Sequence, residues 1–457
     1  MANQRKRQDW WPEWFDGTSV IEAMYCQELL QKNKLICIDG AFFTVDGLLA
    51  DDTPLRDKIY RDIGQFVKSS VSKKIQSIID LLKIVAYKKD FPPEEDRIHF
   101  RNGTLFLDGH FEPGKTDIVR ARIPIDYDPN AEKPELWLQF LDDLLDPEDI
   151  LTLQEYLGYI LLPTNKAQHM MLIKGTGGEG KSQIGTVMKR LLGPLCKDGS
   201  IGKLTENRFS RADLENLLLM VDDDMRMEAL KQTNYLKSMI SAKGRVDLEK
   251  KGKQSHQGYM YARFLAFSNG DLQSLYDRSN GFYRRQLILS TKEKKPDRVD
   301  DPDIADKLCK ELPGILLWML EGLFRLDGNH YRFTESANSI ACKTAQKQEG
   351  NNVLLFMEAN DYLKYGDGGE VSSQELYAVY CLFCNENGLS PLKQRSMSDF
   401  LVANSKKYGL EHVNTIHNAE GRRVWGFKGI KLKADAGLRN RLGFQRVWPD
   451  DNPFDKC

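Results

Sequence analysis

Apolar residues recur along most of this chain at three- and four-residue intervals, and a few short, continuous apolar runs interrupt that rhythm. Between residues 54 and 87 the series Ile59, Ile63, Phe66, Val67, then Ile75, Ile78, Ile79, Leu82, Ile84 predicts helices that end before Pro92-Pro93. Ahead of it, residues 35–49 hold two apolar runs cut by Asp39-Gly40 and Asp46-Gly47, which predicts short hairpins. Residues 98–114 read the same way, with Asn102-Gly103 and Asp108-Gly109 as turns. Residues 137–145 and 150–162 read as apolar helices. Four short strands built mostly of apolar residues follow, at 170–173, 217–221, 263–267 and after Arg285. Among them the continuous run at 217–221 suits a strand buried on both faces. Helical patterns at 184–192 and 228–242 lie between them, so the class is α/β.

The C-terminal third changes character. Gly366-Asp367-Gly368-Gly369 reads as a linker, and Ser372-Ser373-Gln374-Glu375 as a capping box that opens a helix through Leu376, Tyr377, Tyr380 and Phe383. A second helix over 397–407 and two strands, 411–417 and 422–432, flanking Asn418–Gly421 complete a winged-helix pattern. Its Lys393, Arg395, Lys406, Lys407, Arg422 and Arg423 suit phosphates, and a protein-docking module with ordinary surface charge is an equal reading. The predicted organisation is an N-terminal, mostly helical region with hairpins (1–95), a pre-ATPase region (96–150), an α/β core (151–330), a helical connector (331–369), the winged helix (370–435) and a tail (436–457).

Composition narrows this picture only slightly. A chain of 457 residues with 41% hydrophobic and 29% charged residues suits a globular protein of roughly three domains. No apolar run approaches the ~20 residues of a membrane span, and the basic start lacks the apolar core of a signal peptide. Eight scattered cysteines do not form a disulfide framework, so a reducing cytoplasm, of a bacterial cell or an infected host, is expected. Cys381-Leu382-Phe383-Cys384 lies in a helical pattern with no second pair, so buried thiols are favoured over a metal site. The net charge is −1, which makes the positions of basic clusters more informative than their total.

Chemistry concentrates in the core. Gly175-Thr176-Gly177-Gly178-Glu179-Gly180-Lys181-Ser182 fits G-x-x-x-x-G-K-[ST] at every fixed position. A predicted strand precedes it and a helix follows, ending at Gly193-Pro194, and both flanks argue against a chance glycine-rich loop. In that setting backbone N–H groups cradle a β-phosphate, Lys181 reaches the β- and γ-phosphates, and Ser182 gives its hydroxyl to Mg²⁺. ATP and Mg²⁺ are therefore the expected ligands.

The second apolar run ends in Asp222-Asp223-Asp224. Hydrolysis needs one carboxylate for Mg²⁺ and one to polarise water, and the alternative is an acidic cap on the next helix. Which two of the three act stays open, with Asp223 preferred for the metal and Asp224 for the water. Asn269, at the end of the third run, suits water orientation or γ-phosphate sensing, or a plain turn before Gly270. Lys250, Lys251 and Lys253, with Gly252 and His256, form the tip of a predicted hairpin, where a merely solvated basic turn is the alternative. Arg284 and Arg285, before the last run, are either surface charge or the clamp on a neighbour's ATP.

These landmarks, in this order, resemble superfamily III helicases of the phage and plasmid primase–helicase type, which includes the poxvirus primase–helicase. The pieces are GTGGEGKS at 175–182, LLLMVDDD at 217–224, the hairpin at 245–256, RFLAFSN at 263–269 and GFYRR at 281–285, and the likeness spans about residues 55–435. It implies an AAA+ P-loop ATPase working as a ring, usually a hexamer, with ATP between subunits and translocation along one DNA strand, typically 3′ to 5′. It further implies that Lys250, Lys251, Lys253 and His256 grip DNA in the pore and that Arg284 or Arg285 is an arginine finger acting in trans. Three aspartates stand where the family often has a Glu in the second acidic place. About 100 residues precede Asn102, too few for the family's primase domain, so primase activity is not expected and a separate primase or polymerase would be a partner. The leading expectation is an ATP-dependent helicase acting on single-stranded or forked DNA in replication of a phage, plasmid or other mobile element. The alternatives are an initiator that binds origin DNA through the winged helix, with ATP serving assembly, and a P-loop switch unrelated to DNA, which leaves the basic hairpin unexplained.

Overall fold

The four predicted apolar strands lie side by side in one parallel sheet, and a fifth, short strand forms the edge beyond them. In chain order these are the loop strand (Met170–Lys174), the edge strand (Cys196–Asp198), the acidic strand (Leu219–Asp222), the amide strand (Arg263–Ser268) and the arginine strand (Gln286–Ser290). Across the sheet the order is arginine, loop, amide, acidic, edge, and every pairing is parallel. The loop strand therefore sits between the amide and arginine strands, registered Ser268 to Lys174 on one side and Ser290 to Lys174 on the other. This computed structural model describes residues 8–49, 51–225, 233–252, 254–269, 280–294, 300–349, 352–359, 361–387, 389, 391–403, 405–417 and 421–433.

Strand side chains alternate between faces, and the sheet sorts them by parity. Met171, Ile173, Leu219, Val221, Leu265, Phe267, Leu287 and Leu289 join one core with Ile184, Val187 and Leu191 of the helix Ser182–Leu192. Met170, Leu172, Met220, Phe264 and Ala266 join the other, with Ile201 and Leu204 of the helix Ile201–Glu206 and Leu236 of the helix Thr233–Ile240. Burial on both faces is why these strands lack the apolar–polar alternation of a half-exposed sheet. On the first face Gly185 lets the helix after the glycine loop approach closely, since a Cβ there would lie 3.0 Å from Phe267 and 3.1 Å from Val221.

The helices Glu135–Leu144 and Pro147–Ile160 fall where the periodicity puts them, and the second packs along Leu312–Gly328. Its end is tied to the sheet by Arg263, a fully buried guanidinium that donates to the carbonyls of Leu162 (2.6 Å) and Tyr159 and lies over the Tyr159 ring. The N-terminal region holds a separate core formed by the helices Glu22–Lys32, Thr53–Ile63 and Val71–Val85 and a small sheet of Leu35–Ile38, Ala41–Thr44 and Gly47–Leu48. A second small sheet, Arg97–Phe100, Gly103–Phe106 and Phe111–Pro113, turns at Asn102-Gly103 and Asp108-Gly109.

The chain divides into two units after Lys343. In the second, Ser372 and Glu375 form the expected capping box at the start of Ser373–Glu386. The expected linker is not one: Gly366–Gly369 lies inside the strand Leu363–Ser372, in a register shift between Tyr365 and Glu370. Gly368 adopts φ +80° and a Cβ on Gly369 would sit 2.9 Å from the Ile430 backbone, so these glycines make a bulge against a neighbouring strand. The expected 397–407 helix is two, Gln394–Ala403 and Ser405–Tyr408. The strand Leu363–Ser372 pairs with Arg423–Leu432, which pairs with Glu411–His417. Cys384 is buried in this unit's core. Among the described residues no helix is long and apolar enough to cross a membrane.

Candidate functional site

The glycine loop bridges the C-terminal end of the loop strand and the helix Ser182–Leu192. Gly177, Gly178 and Gly180 have φ of +107°, +84° and +92°, backbone conformations that L side chains resist. That curl leaves the N–H groups of Gly178, Gly180 and Ser182 without a bond among the described residues, at the N-terminus of an 11-residue helix. Open donors at a helix N-terminus form an anion site.

Glu179 braces the loop from inside. Its carboxylate is buried and accepts from the Thr176 N–H, from Thr176 Oγ1 at 2.8 Å and from the Gly177 N–H at 2.7 Å. Burial pushes this carboxyl up, but the hydrogen bonds from its own N–H, Thr176, Lys181 and Gly177 outweigh burial and bring it down to about 2. Lys181 donates to Glu179 at 3.1 Å and to Asn269 Oδ1 at 2.7 Å. Lys181 and Asn269 are thus joined, 88 positions apart in the chain. The Thr291 hydroxyl closes the loop's other flank, 2.6 Å from where a Gly175 Cβ would be.

Strand parity sorts the acidic cluster. Asp222 falls on the even face, away from the helix after the glycine loop, where it is buried and accepts from the Ile201 N–H at 2.7 Å. Burial pushes its carboxyl above the usual range, and Asp224 and Asp223 add to the effect. Asp222 is therefore spent on anchoring Ile201–Glu206. Val221 faces Gly185 on the odd side, as does Phe267, and Asn269, two residues after Phe267, reaches Lys181. Asp223 and Asp224 are both exposed, in the turn that follows the strand.

Arg284 and Arg285 lie elsewhere. They precede Gln286, which pairs with Met170 at the start of the loop strand, roughly 17 Å along the strands from the glycine loop at 3.3 Å per residue. Arg285 donates to the Gly281 carbonyl at 2.5 Å, and burial lowers its guanidinium pKa. Arg284 is exposed. Neither arginine joins Lys181 in its own chain.

The basic hairpin pairs Arg245–Leu248 with His256–Tyr259, and Gly252 turns it at φ +74°. Lys253 lies outside the described residues. Two of the expected DNA-binding groups meet an internal carboxylate: Lys250 donates to Glu215 at 2.9 Å, and His256 Nε2 lies 3.0 Å from both Glu215 oxygens. Lys251 is exposed. At the hairpin's base, Arg245 donates to Asp90 at 2.6 Å, the Tyr259 hydroxyl donates to the same carboxylate at 3.1 Å, and Arg120 lies over the Tyr259 ring. The hairpin is thereby rooted on the N-terminal region.

Sequence reasoning assigned no role to Glu215, Asp90, Arg120 or Arg263, and no local motif marks them. Thr291 was within reach, because counting two residues past Leu289 puts it on the odd face with Asn269.

Residues 173–285 match a family of unknown function, DUF5906. Among solved structures, the A form apo structure of the NrS-1 C-terminal region is similar, at 13% identity over 88% of this chain and 98% of that one, with a TM-score of 0.52. A second, of the same region (305–718), matches at 13% identity over 89% and 99%, with a TM-score of 0.49. At that identity, what the first of these relatives shares with the chain is the fold, a mixed α/β architecture with a parallel sheet.

Proposed function

We propose that this chain is an ATP-driven DNA helicase whose first unit holds a P-loop core of the AAA+ kind and whose second is a winged helix. The observation that carries the reading is the Lys181–Asn269 bond beneath the open donors of the glycine loop, with Asp223 and Asp224 exposed in the turn that ends the acidic strand two strands away. The chemistry of the donors fits a Mg-nucleotide: backbone N–H groups and an ammonium for phosphate, a Ser182 hydroxyl and the Asp223 carboxylate for a hard cation that keeps waters. Bound there, Mg²⁺ would neutralise charge on the β- and γ-phosphate oxygens. Lys181 supplies a fixed positive charge on the same oxygens, already oriented by Asn269 and Glu179. We assign Asp224 as the second acid, to accept a proton from the attacking water, and Asn269 to orient that water.

The far position of Arg284 supports a ring in which each arginine completes its neighbour's site, and such a ring gathers the basic hairpins around its axis. Replication of a phage, plasmid or other mobile element is the setting we infer, from the resemblance in the ordered motifs. Strand displacement on a forked DNA, with and without ATP, tests the reading: the wild-type chain should unwind only with hydrolysable ATP. A mixture of Arg284→Ala and Lys181→Ala proteins should regain hydrolysis that neither has alone. Absence of ATP-dependent displacement by a ring-forming preparation would refute the helicase, and absence of rescue in exchanging rings would refute the arginine in trans.

A further inference from the structure

The second unit presents an aromatic surface that its own core does not use. Phe427 is fully buried, whereas Trp425, two residues earlier on the same strand and so on the same face, is 56% exposed. His412 comes across from Glu411–His417 and touches both rings, with centroids 4.7 Å from Phe427 and 4.8 Å from Trp425. The imidazole and indole planes are stacked at 28°, so the indole is held flat from one side by a packed neighbour.

A single exposed tryptophan can be ordinary surface. The surrounding charge makes this one specific. Residues 411–433 carry Arg422, Arg423, Lys428, Lys431 and Lys433 against Glu411 and Glu420, with Lys428 paired to Glu370 of the adjoining strand, in a chain whose net charge is −1. By strand period Arg423 shares the face of Trp425. Its Nε donates to the Asn414 carbonyl at 3.0 Å, which ties the guanidinium down at that end of the strand, and its two Nη groups make no bond among the described residues.

A braced π-face with a fixed cation on the same strand, which is rich in positive charge, is complementary to a base with its phosphate. Protein–protein interfaces are depleted in lysine, whereas residues 428–433 carry three. Intact duplex keeps its base faces stacked inside, so the match is to a single strand. We propose that Trp425, braced by His412, is a stacking platform for a base of single-stranded nucleic acid, with Arg423 taking an adjoining phosphate. The proposal does not rest on the ATPase reading, because this contact needs no nucleotide.

The test uses the full-length chain without ATP and a fluorescein-labelled oligo(dT), read by anisotropy across a salt series. Trp425→Ala should weaken binding about 5- to 100-fold, the range of one base–aromatic stack, while Trp425→Phe stays within about threefold of wild type. Arg423→Ala should reduce the salt slope by about 0.7, one phosphate on a single strand. The Trp425→Ala effect should persist in a Lys250→Ala/Lys251→Ala background, since the two contacts lie on different units. Wild-type affinity in a Trp425→Ala protein with an unchanged unfolding midpoint would overturn the proposal, and so would an equal loss on duplex of the same length. A loss from the hairpin substitutions with none from Trp425→Ala would overturn it while leaving the hairpin reading intact.

Discussion

Lys181 and Lys250 are both lysines of the first unit held by a carboxylate of their own chain, and they are held on opposite terms. The Lys181–Glu179 pair is sealed, with side chains 7% and 2% exposed, whereas Lys250 is 45% exposed above a Glu215 at 13%. Opening the first strands a buried charge, while opening the second returns a lysine to water at little cost. Glu179 also spends its carboxylate on Thr176 and Gly177, so it shapes the loop as much as it pairs the lysine. On the proposed function the loop is set before any phosphate arrives, and the hairpin would trade Glu215 for an external anion. Rigidity suits a site that must place charge on a transferring phosphoryl group. An exchangeable pair suits one that must grip and release a moving strand.

The strongest break of this comparison is Lys181→Ala. ATP hydrolysis should fall by ~10²-fold or more, since the charge on the β- and γ-phosphates is gone. Stability should fall by only about 1.5–3 kcal/mol, because Glu179 keeps its Thr176 and Gly177 donors. Wild-type turnover in folded protein would remove the nucleotide site.

The triple replacement of Lys250, Lys251 and Lys253 by alanine comes next. Unwinding should stop and single-strand affinity should lose much of its salt dependence, while DNA-independent ATP hydrolysis remains. Normal unwinding would reduce the hairpin to a solvated turn.

Glu179→Gln sharpens the sealed side through pH. The folded carboxyl sits at about 2, below its ordinary value, so its stabilisation is full above about pH 4.5 and is lost as pH falls toward 2. Urea midpoints measured from pH 6 to pH 2 should decline less steeply in the variant, and parallel curves would deny the carboxylate this role.

Glu215→Gln has the smallest effect and a distinctive sign. It frees Lys250 and His256, so affinity for oligo(dT) should rise about two- to fivefold, with stability changed by less than about 1 kcal/mol. Weaker binding would mean that Glu215 positions the hairpin rather than competing for its cations.

Much of this architecture was legible residue by residue. The glycine loop, the apolar strands and the capping box at Ser372 are local patterns, each contained within a few positions. The linker assigned to Gly366–Gly369 failed because glycines mark both loops and bulges, and only a neighbouring strand tells them apart. The anchoring place of Asp222 was legible in principle, because once Val221 is placed against Gly185, strand period sends Asp222 to the opposite face.

What the sequence by itself determined is most of the elements, the order of motifs and which strand residues share a face, because periodicity and turn chemistry act over a few neighbouring residues. What only the tertiary structure decided is which charges meet. Lys181 finds Asn269 across 88 positions, Lys250 finds Glu215 across 35, and Arg245 finds Asp90 across 155. No pattern along the chain encodes those distances. They arise when five strands are ordered side by side and the ends of segments remote in sequence are brought within a hydrogen bond of one another.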